Sequence, residues 1–286
     1  MADSFVLKQK NGLWWGTFLA LTEAGFLSAC SCRLHGDSAL VPGMLNLALH
    51  VGDDPDLVRN NRLRFAEAIG VDPAMFTTCA QVHGSRVAVV TETDAGSGAF
   101  SLEDATSPDG TPWQGTIEGT DALITRLPNV PLLLFYADCT PVLLADPVTG
   151  TIGLAHAGWR GTAAEIAKKT VAAMTEHFGV QPGNLLASIG PSIGPCCYEV
   201  DESVRKQMPA YARFFQPHGK GHYQLDLWGI NETQLRLAGV PADHIAVARV
   251  CTECNHELFC SYRYEQGKTG RMGVCLCRPV LQNTER

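Results

Sequence analysis

Three side chains that could bind one metal ion lie in three separate segments of the sequence. They are His83, Cys139 and His156. Each lies where an apolar run that predicts a β-strand begins or ends, so the fold could bring them together. Two imidazoles and a thiolate suit zinc, and three protein ligands leave a fourth position free, which is typical of a catalytic site. Taken alone, however, His83 is more typical of a structural histidine and Cys139 of a core cysteine.

The segment around His156 also predicts an anion-binding turn. An apolar strand runs through His156 into a glycine-rich stretch that contains Arg160, and a helix follows. The free N–H groups and the positive end of a helix favour bound anions such as phosphate. Thr162 is a candidate N-cap for this helix, because Glu165 three residues later would complete a capping box.

A pair of polar residues follows the predicted strand 131–136. Asp138 and Cys139 come directly after it, and Pro141 predicts that the strand does not simply continue in the middle of a sheet. The pair therefore belongs to a strand end, where a thiol and a carboxylate could face a ligand.

Periodic patterns predict the elements that must position these residues. Helices are expected at 56–69, 162–178 and 225–238, and strands at 86–91, 131–136, 142–145, 152–155, 185–189, 245–250 and 272–277. Because two central strands follow each other without a helix, the sequence predicts an α+β fold with mixed β-sheets and helices packed on them. The polar stretch 94–120 is expected to be a surface excursion, so residues 1–286 are predicted to form a single domain.

Composition excludes several classes of protein. The 286 residues are 45% hydrophobic and 18% charged with a formal net charge of −7, which is ordinary for a globular protein. An acidic balance argues against nucleic-acid or membrane binding. Eleven cysteines without regular spacing fit a reducing, cytoplasmic location. Residues 8–22 resemble a signal peptide only superficially, since glycines and tryptophans interrupt the apolar core.

Longer stretches of the sequence resemble a known family. The matching segments are residues 45–54, 61–62, 81–84, 119–122, 137–139, 156–161, 190–200, 261–263 and 269–271. In this order, across about residues 31–276, the chain resembles the multicopper polyphenol oxidase or laccase-domain family, whose members are regarded as zinc-dependent purine nucleoside phosphorylases. Two segments depart from the family pattern. Where the family usually has an Arg-x-Gly-Gly turn, this chain reads Arg33-Leu34-His35-Gly36-Asp37, and Arg263 is followed by Tyr264 where a second arginine is usual.

The resemblance implies a fold, a metal site and an activity. The fold would be the laccase-domain fold, similar to that of cytotoxic necrotizing factor. His83, Cys139 and His156 would bind one zinc ion. The enzyme would cleave adenosine, inosine, guanosine and methylthioadenosine with phosphate, and would also deaminate adenosine.

Residues around these segments are candidates for the individual steps. Asp138 or Asp121 could transfer a proton during deamination, or could instead be supporting or turn residues. Arg160 or Arg62 could hold phosphate, since either side chain carries the positive charge that phosphate needs. Asn46 could bind the ribose or the base through its amide. We expect a monomer.

Three other functions use the same residues. The older family name suggests copper-dependent oxidation of phenols, but the chain has 9 histidines and no His-x-His pair. Cys139 and His156 could form the nucleophile and base of a thiol hydrolase. A metal-binding or redox protein without turnover is the third alternative.

The remaining cysteines predict little on their own. Cys251 and Cys254, with Cys275 and Cys277, loosely suggest a zinc ribbon, but the second pair has the wrong spacing and alternates as in a buried strand. Cys196 and its neighbour Cys197 are expected to pack a turn.

Overall fold

The computed structural model describes residues 4–280, and strands outnumber helices in that part of the chain. The strands are β1 (Phe5–Lys10), β2 (Leu13–Phe18), β3 (Leu27–Ser31), β4 (Val87–Val89), β5 (Ala105–Thr106), β6 (Pro112–Trp113), β7 (Ala122–Thr125), β8 (Leu132–Tyr136), β9 (Thr140–Ala145), β10 (Ile152–Ala157), β11 (Leu186–Ile189), β12 (Glu199–Asp201), β13 (Phe215–Pro217), β14 (His222–Leu225), β15 (Ile245–Val247) and β16 (Met272–Cys277). The α-helices are α1 (Leu19–Glu23), α2 (Pro55–Ile69), α3 (Trp159–Ala163), α4 (Ile166–Phe178), α5 (Glu202–Arg205) and α6 (Leu227–Leu237).

Two larger sheets form the centre of the protein. The first has the order β1-β2-β3-β16-β8, and the second has the order β15-β11-β9-β10-β7-β4. One core lies between them, because apolar side chains of β8 and β16 share a buried cluster with those of β7, β9 and β10. The predicted α+β fold with mixed sheets is therefore confirmed.

Helices cover the outer faces of both sheets. Along β8, Leu132 and Leu134 face the core between the sheets, whereas Leu133 and Phe135 face a second cluster that includes side chains of α2. The outer face of the second sheet packs on α4 and α6. This alternation is the period-2 pattern of strands that are covered on both sides. The chain thus has four layers: helix, sheet, sheet, helix.

Several sequence predictions agree with these elements. The predicted strand 272–277 coincides with β16, and the predicted helix 56–69 corresponds to α2. Asp54 caps α2 by accepting hydrogen bonds from the backbone N–H groups of Asp56 and Leu57, and Gly70 ends the helix with φ 78°. In the polar stretch 94–120, β5 and β6 form a small separate pair.

The predicted helix 162–178 was wrong, because it is two helices. Glu165 has φ 60° and ψ 42°, a left-handed conformation that separates α3 from α4. The expected capping box is also absent: Gly158 is the N-cap of α3, and Thr162 lies inside that helix. Pro141 is the second residue of β9. After the short connection from β8, a new strand therefore begins at this point.

Two expectations from the sequence concern the whole chain. Among residues 4–280, no helix has the length and apolar character needed to span a membrane. The predicted single domain, residues 1–286, extends beyond the described residues at both ends, so those limits stay a prediction.

Arg62 lies in the buried face of α2 and joins the helix to two loops. Its side chain is fully buried. Nε donates to the Leu47 carbonyl at 2.7 Å, and Nη1 donates to the carbonyls of Gly98 and Ala99 at 2.7 Å each. The guanidinium also lies 4.8 Å from the centre of the Phe135 ring. Burial lowers the pKa of Arg62, and the three carbonyl acceptors compensate for the desolvation of its charge.

We expect Arg62→Met to lower the free energy of unfolding by about 3–5 kcal/mol, because it leaves three buried carbonyls without a donor. Urea unfolding followed by circular dichroism measures this. Arg64→Met is the control on the same helix, since Arg64 is partly exposed and paired with Asp37 at 3.0 Å. Its loss should cost about 1 kcal/mol or less. Equal losses in the two variants would contradict the structural role of Arg62.

Candidate metal centre

The three predicted metal ligands lie on three neighbouring parts of the fold. His156 is on β10, in the middle of the second sheet. Cys139 is on the connection from β8 to β9, where the chain passes from the first sheet to the second. His83 is in the turn before β4, at the edge of the second sheet, with a left-handed φ of 59°. The two sheets therefore determine where the ligands meet.

The ligand atoms of these three side chains converge. One atom from each of His83, Cys139 and His156 lies within 4.8 Å of the others, and the two imidazole rings are 4.8 Å apart between centres. His156 is buried, Cys139 is half-buried and His83 is exposed, so the group opens toward solvent on one side. Two nitrogens and one sulfur form a donor set that fits zinc with one position left for a ligand. The structure thus brings together all three residues that the sequence singled out.

Asp121 fixes two of the three ligands. Its Oδ1 lies 2.9 Å from His156 Nδ1 and accepts a hydrogen bond of 2.9 Å from the backbone N–H of His83. Its Oδ2 accepts backbone bonds from Gly84 at 2.7 Å and Val82 at 3.2 Å. Because an ionised carboxylate only accepts, the proton of the His156 ring is assigned to Nδ1, which leaves Nε2 free to bind a metal. Burial opposes ionisation of Asp121, yet these hydrogen bonds lower its pKa overall.

The thiol of Cys139 is held in its ionised form. Burial alone would raise its pKa, but the adjacent His156 and His83 more than compensate and lower the pKa to about 6. Burial likewise opposes the charge on His156, whereas the Cys139 thiolate and Asp121 raise the pKa of that histidine to about 9. In the metal-free site the ring therefore carries a second proton on Nε2, which a bound metal would displace. A thiolate at neutral pH is the form of cysteine that binds metals.

Gly158 leaves the space in which Cys139 and His83 meet. A Cβ atom at this position would lie 2.9 Å from Cys139 Sγ and 3.2 Å from His83 Cδ2. The first distance is shorter than real Cβ contacts, so any side chain here would displace a metal ligand. The glycine that the sequence suggested for an anion-binding turn therefore has a steric role in the metal centre.

A cavity of about 550 Å³ lies over the three ligands. Such a volume is typical of sites for small organic ligands. Its wall combines flat aromatic rings with three arginines. The lining residues are His50, Gln81, His83, Phe135, Ala137, Asp138, Cys139, His156, Trp159, Arg160, Ile193, Tyr198, Leu227, Tyr262, Arg263 and Arg271.

Two further predicted residues line this cavity. Asp138 precedes Cys139, and both of its oxygens accept hydrogen bonds: Oδ1 from the Thr252 hydroxyl at 2.6 Å and Oδ2 from the Arg263 backbone N–H at 2.8 Å. Arg160 lies in α3, and its guanidinium is 4.3 Å from the centre of the Trp159 ring. Both side chains are therefore placed to meet a ligand.

The other predicted residues lie outside the cavity wall. Asp121 is fully buried behind His156, so it supports the site. Asn46 is also buried, and its Nδ2 donates to Asp53 at 2.8 Å. Arg62 is occupied by the carbonyls described above. Substrate binding by Asn46 and Arg62 stays a prediction. Both side chains are buried, and the Asn46 amide and the Nε and Nη1 groups of Arg62 already have partners inside the protein.

Several lining residues were not assigned a role from the sequence. Arg263 donates to the Glu199 carbonyl at 3.3 Å, and its guanidinium lies 5.3 Å from the centre of the Tyr198 ring. Arg271 donates to two nearby carbonyls and lies over the ring of Tyr262. These residues belong to the segments that resemble the family, which is the only signal that could have identified them.

His50 lines the same cavity as a neutral imidazole. Burial and the charges of Arg271 and Arg62 lower its pKa to about 4. Its ring packs edge-on against Phe135, with 5.8 Å between ring centres. At neutral pH, His50 can therefore offer a ligand one N–H donor and one nitrogen acceptor.

Comparison with known proteins agrees with the resemblance found in the sequence. Residues 28–278 match the family described as multi-copper polyphenol oxidoreductase laccase. The chain belongs to this family. One relative, the purine nucleoside phosphorylase YlmD of Geobacillus stearothermophilus, is 39% identical over 277 residues, which are 95% of this chain and 96% of that protein.

Solved structures of family members share the fold. The hypothetical protein YfiH of Bacillus licheniformis has a TM-score of 0.86 at 33% identity, over 96% of this chain and 99% of that one. YlmD of Geobacillus stearothermophilus has a TM-score of 0.83 at 36% identity, over 96% of this chain and 100% of that one. The expected laccase-domain fold is thus confirmed.

The histidines of this chain do not form the kind of site that the several copper ions in the family description would need. Multicopper centres need many imidazole ligands, typically from paired histidines. Within residues 4–280, the candidate metal group that contains histidine has two of them, His83 and His156, with Cys139. This donor set fits one metal ion and does not fit several coppers.

We expect Asp121→Asn to weaken zinc binding about 10- to 100-fold, because the amide cannot hold the His156 tautomer and the His83 turn as a carboxylate does. Competition with a chromogenic chelator measures the dissociation constant. Asp146→Asn is the matched control, since Asp146 is equally buried and accepts hydrogen bonds in a turn of its own. Unchanged zinc affinity in Asp121→Asn would contradict the role of this carboxylate.

We expect Gly158→Ala to lose bound zinc while keeping the fold, because the added methyl group displaces Cys139 Sγ. Metal content by mass spectrometry and a thermal melt of the same sample test this. Gly183→Ala is the control, since a Cβ there meets no atom within 4 Å. Full zinc content in Gly158→Ala would show that the close contact does not constrain the site.

Proposed function

We propose that the protein is a zinc-dependent purine nucleoside phosphorylase. The observation that carries the proposal is that the His83, Cys139 and His156 group opens into the same cavity as three arginines, Arg160, Arg263 and Arg271. A metal beside a cluster of cations suits a reaction in which phosphate is a substrate. The name of the YlmD relative, a purine nucleoside phosphorylase at 39% identity, supports the same assignment.

Zinc would be held by His83, Cys139 and His156, where it would supply a Lewis acid and lower the pKa of water. The chain itself provides the orientation of these ligands. Asp121 fixes the His156 ring by a contact of 2.9 Å and anchors the His83 turn, so the binding nitrogens need not reorganise during turnover.

Phosphate would be positioned by the arginines. In phosphorolysis a phosphate oxygen forms a bond to ribose C1′ while the bond from C1′ to the purine nitrogen breaks. The Arg263 and Arg271 guanidinium groups already donate to backbone carbonyls, which restricts their motion. Arg160 stacks on Trp159 at the start of α3, and we assign its donors to phosphate. Positioning of the phosphate dianion against C1′ is the largest contribution that the chain can make to the reaction rate.

Asp138 is proposed to handle the proton of the purine. Each of its oxygens accepts one hydrogen bond from the protein, so each retains acceptor capacity for a ligand. A fixed carboxylate beside the cavity could pass a proton to or from the base. Tyr198 and Tyr262 offer flat rings in the cavity wall on which a purine could stack.

The substrate range and setting extend this proposal. We assign adenosine, inosine, guanosine and methylthioadenosine as nucleoside substrates, and deamination of adenosine as a second reaction at the same centre. The cavity of about 550 Å³ is large enough for a nucleoside and phosphate together. We further propose that the enzyme acts in the cytoplasm as a monomer.

A thiol hydrolase is the second candidate, because the neighbouring imidazoles lower the pKa of Cys139 to about 6. A nucleophilic cysteine needs one imidazole as its base. Here two imidazoles, those of His83 and His156, face the sulfur, which is the arrangement of a metal site. Activity that persists after complete removal of metal would favour the hydrolase.

The test is to incubate the zinc-loaded protein with adenosine, with and without phosphate, and to separate the products. We expect adenine or hypoxanthine with ribose 1-phosphate only when phosphate is present, and inosine without phosphate. His83→Ala should lose both zinc and turnover while remaining folded, because the core does not depend on this exposed residue. Nucleosides that stay intact with the zinc-loaded protein would overturn the proposal.

We expect Arg160→Met to raise the KM for phosphate about 10-fold or more, because it removes a charge-assisted contact. Phosphate-independent deamination should change much less. Steady-state kinetics with each substrate varied in turn separates the two effects. Arg236→Met is the control, since Arg236 is exposed near the end of α6 and outside the cavity. A KM for phosphate that does not change would remove Arg160 from the phosphate site.

A further inference from the structure

A second group of possible metal ligands lies beside the cavity and consists of four cysteines. Cys196 and Cys197 are in the loop after β11, and Cys251 and Cys254 are in the loop after β15. The sequence suggested that the first pair packs a turn and that the second pair, if it bound metal, would do so with Cys275 and Cys277. Those two cysteines instead lie buried in β16, whereas the two loop pairs meet each other.

The sulfur separations fit a shared metal better than disulfide bonds. Cys254 Sγ lies 3.4 Å from Cys197 Sγ and 3.6 Å from Cys196 Sγ, and all four sulfurs lie within 4.8 Å of one another. A disulfide bond would need about 2.05 Å. Four sulfurs around a tetrahedral zinc ion, each about 2.3 Å from it, are separated by about 3.8 Å. The two distances from Cys254 lie slightly below this value, and the other pairs lie within the 4.8 Å limit.

The backbone around the cluster also supports thiolate ligands. The N–H of Gly194 donates to Cys251 Sγ at 3.2 Å, which stabilises negative charge on that sulfur. An isolated bridge pairs Ser192 with Cys251, so the two loops run side by side where the cysteines meet. Cys196 and Cys254 are exposed, so an ion can enter from solvent.

We propose that Cys196, Cys197, Cys251 and Cys254 bind one structural zinc ion, separate from the one at His83, Cys139 and His156. Binding replaces four thiol protons by one zinc ion and releases these protons to solvent. Four protein ligands leave no open position, which is the pattern of structural sites. Because the two cysteine pairs come from distant parts of the sequence, the ion acts as a cross-link between two loops.

The consequence of this cross-link is a fixed wall for the cavity. The first loop supplies Ile193 and Tyr198 to the cavity. The second loop contains Thr252, whose hydroxyl donates to the cavity-lining residue Asp138 at 2.6 Å. The Ile193 N–H also donates to the Asp138 carbonyl at 3.0 Å. Both loops therefore hold Asp138, and the zinc ion would prevent them from separating.

The experiment counts metal in protein purified under reducing conditions. We expect two zinc ions per chain in the wild type, one in Cys254→Ser, one in Cys139→Ser, and none in the double variant. Cys277→Ala is the control for removal of a buried cysteine and should retain two. One zinc ion in the wild type with no loss in Cys254→Ser would overturn the proposal, and so would a disulfide within the cluster. The two sites are counted separately, so failure here leaves the proposed function untouched.

Cobalt substitution provides a readout that does not depend on the stability of Cys254→Ser. In Cys139→Ser, the four-cysteine cluster is the candidate metal group within residues 4–280 that still offers thiolates to cobalt. We expect an intense sulfur-to-cobalt charge-transfer band that titrates to one equivalent of the added metal. A weak spectrum, typical of oxygen and nitrogen ligands, would contradict binding by four thiolates.

Discussion

The buried carboxylate of Asp121 is the group on which the proposed metal centre depends. It accepts hydrogen bonds from the backbone of the His83 turn and contacts the ring of His156, so two ligands from different parts of the chain share one anchor. The same carboxylate is enclosed by the second sheet, next to β7. A buried charge without partners is costly, so breaking these hydrogen bonds would destabilise the protein. The bonds therefore hold the His83 turn and the His156 ring in place.

The third ligand depends on how the two sheets are connected. The chain leaves β8 in one sheet and enters β9 in the other, and Asp138 and Cys139 occupy this short connection. Ala137, Asp138 and Cys139 of this connection line the cavity. The loop after β11 donates a hydrogen bond to the backbone carbonyl of Asp138, and the loop after β15 donates to its carboxylate. Function is thus concentrated at one junction between the two sheets.

Parts of this arrangement could be predicted from local sequence patterns. Buried strands such as β16 and the capped helix α2 carry strong short-range signals, and the three candidate ligands, which the structure brings together, were selected by residue type. The hairpin of β1 and β2 was missed, although the turn at Asn11 and Gly12, with φ 52° and 82°, is typical of such hairpins. The break at Glu165, the burial of Arg62 and the meeting of the four loop cysteines depend on tertiary packing, which no local pattern records.

The central claim is that His83, Cys139 and His156 hold one zinc ion beside the cavity. Anomalous diffraction from crystals of the zinc-loaded protein, recorded on both sides of the zinc absorption edge, tests it most directly. We expect a peak about 2.0–2.3 Å from one ring nitrogen of each histidine and from Cys139 Sγ. The absence of a peak at this position, with zinc bound elsewhere or not at all, would show that these three residues do not hold the ion.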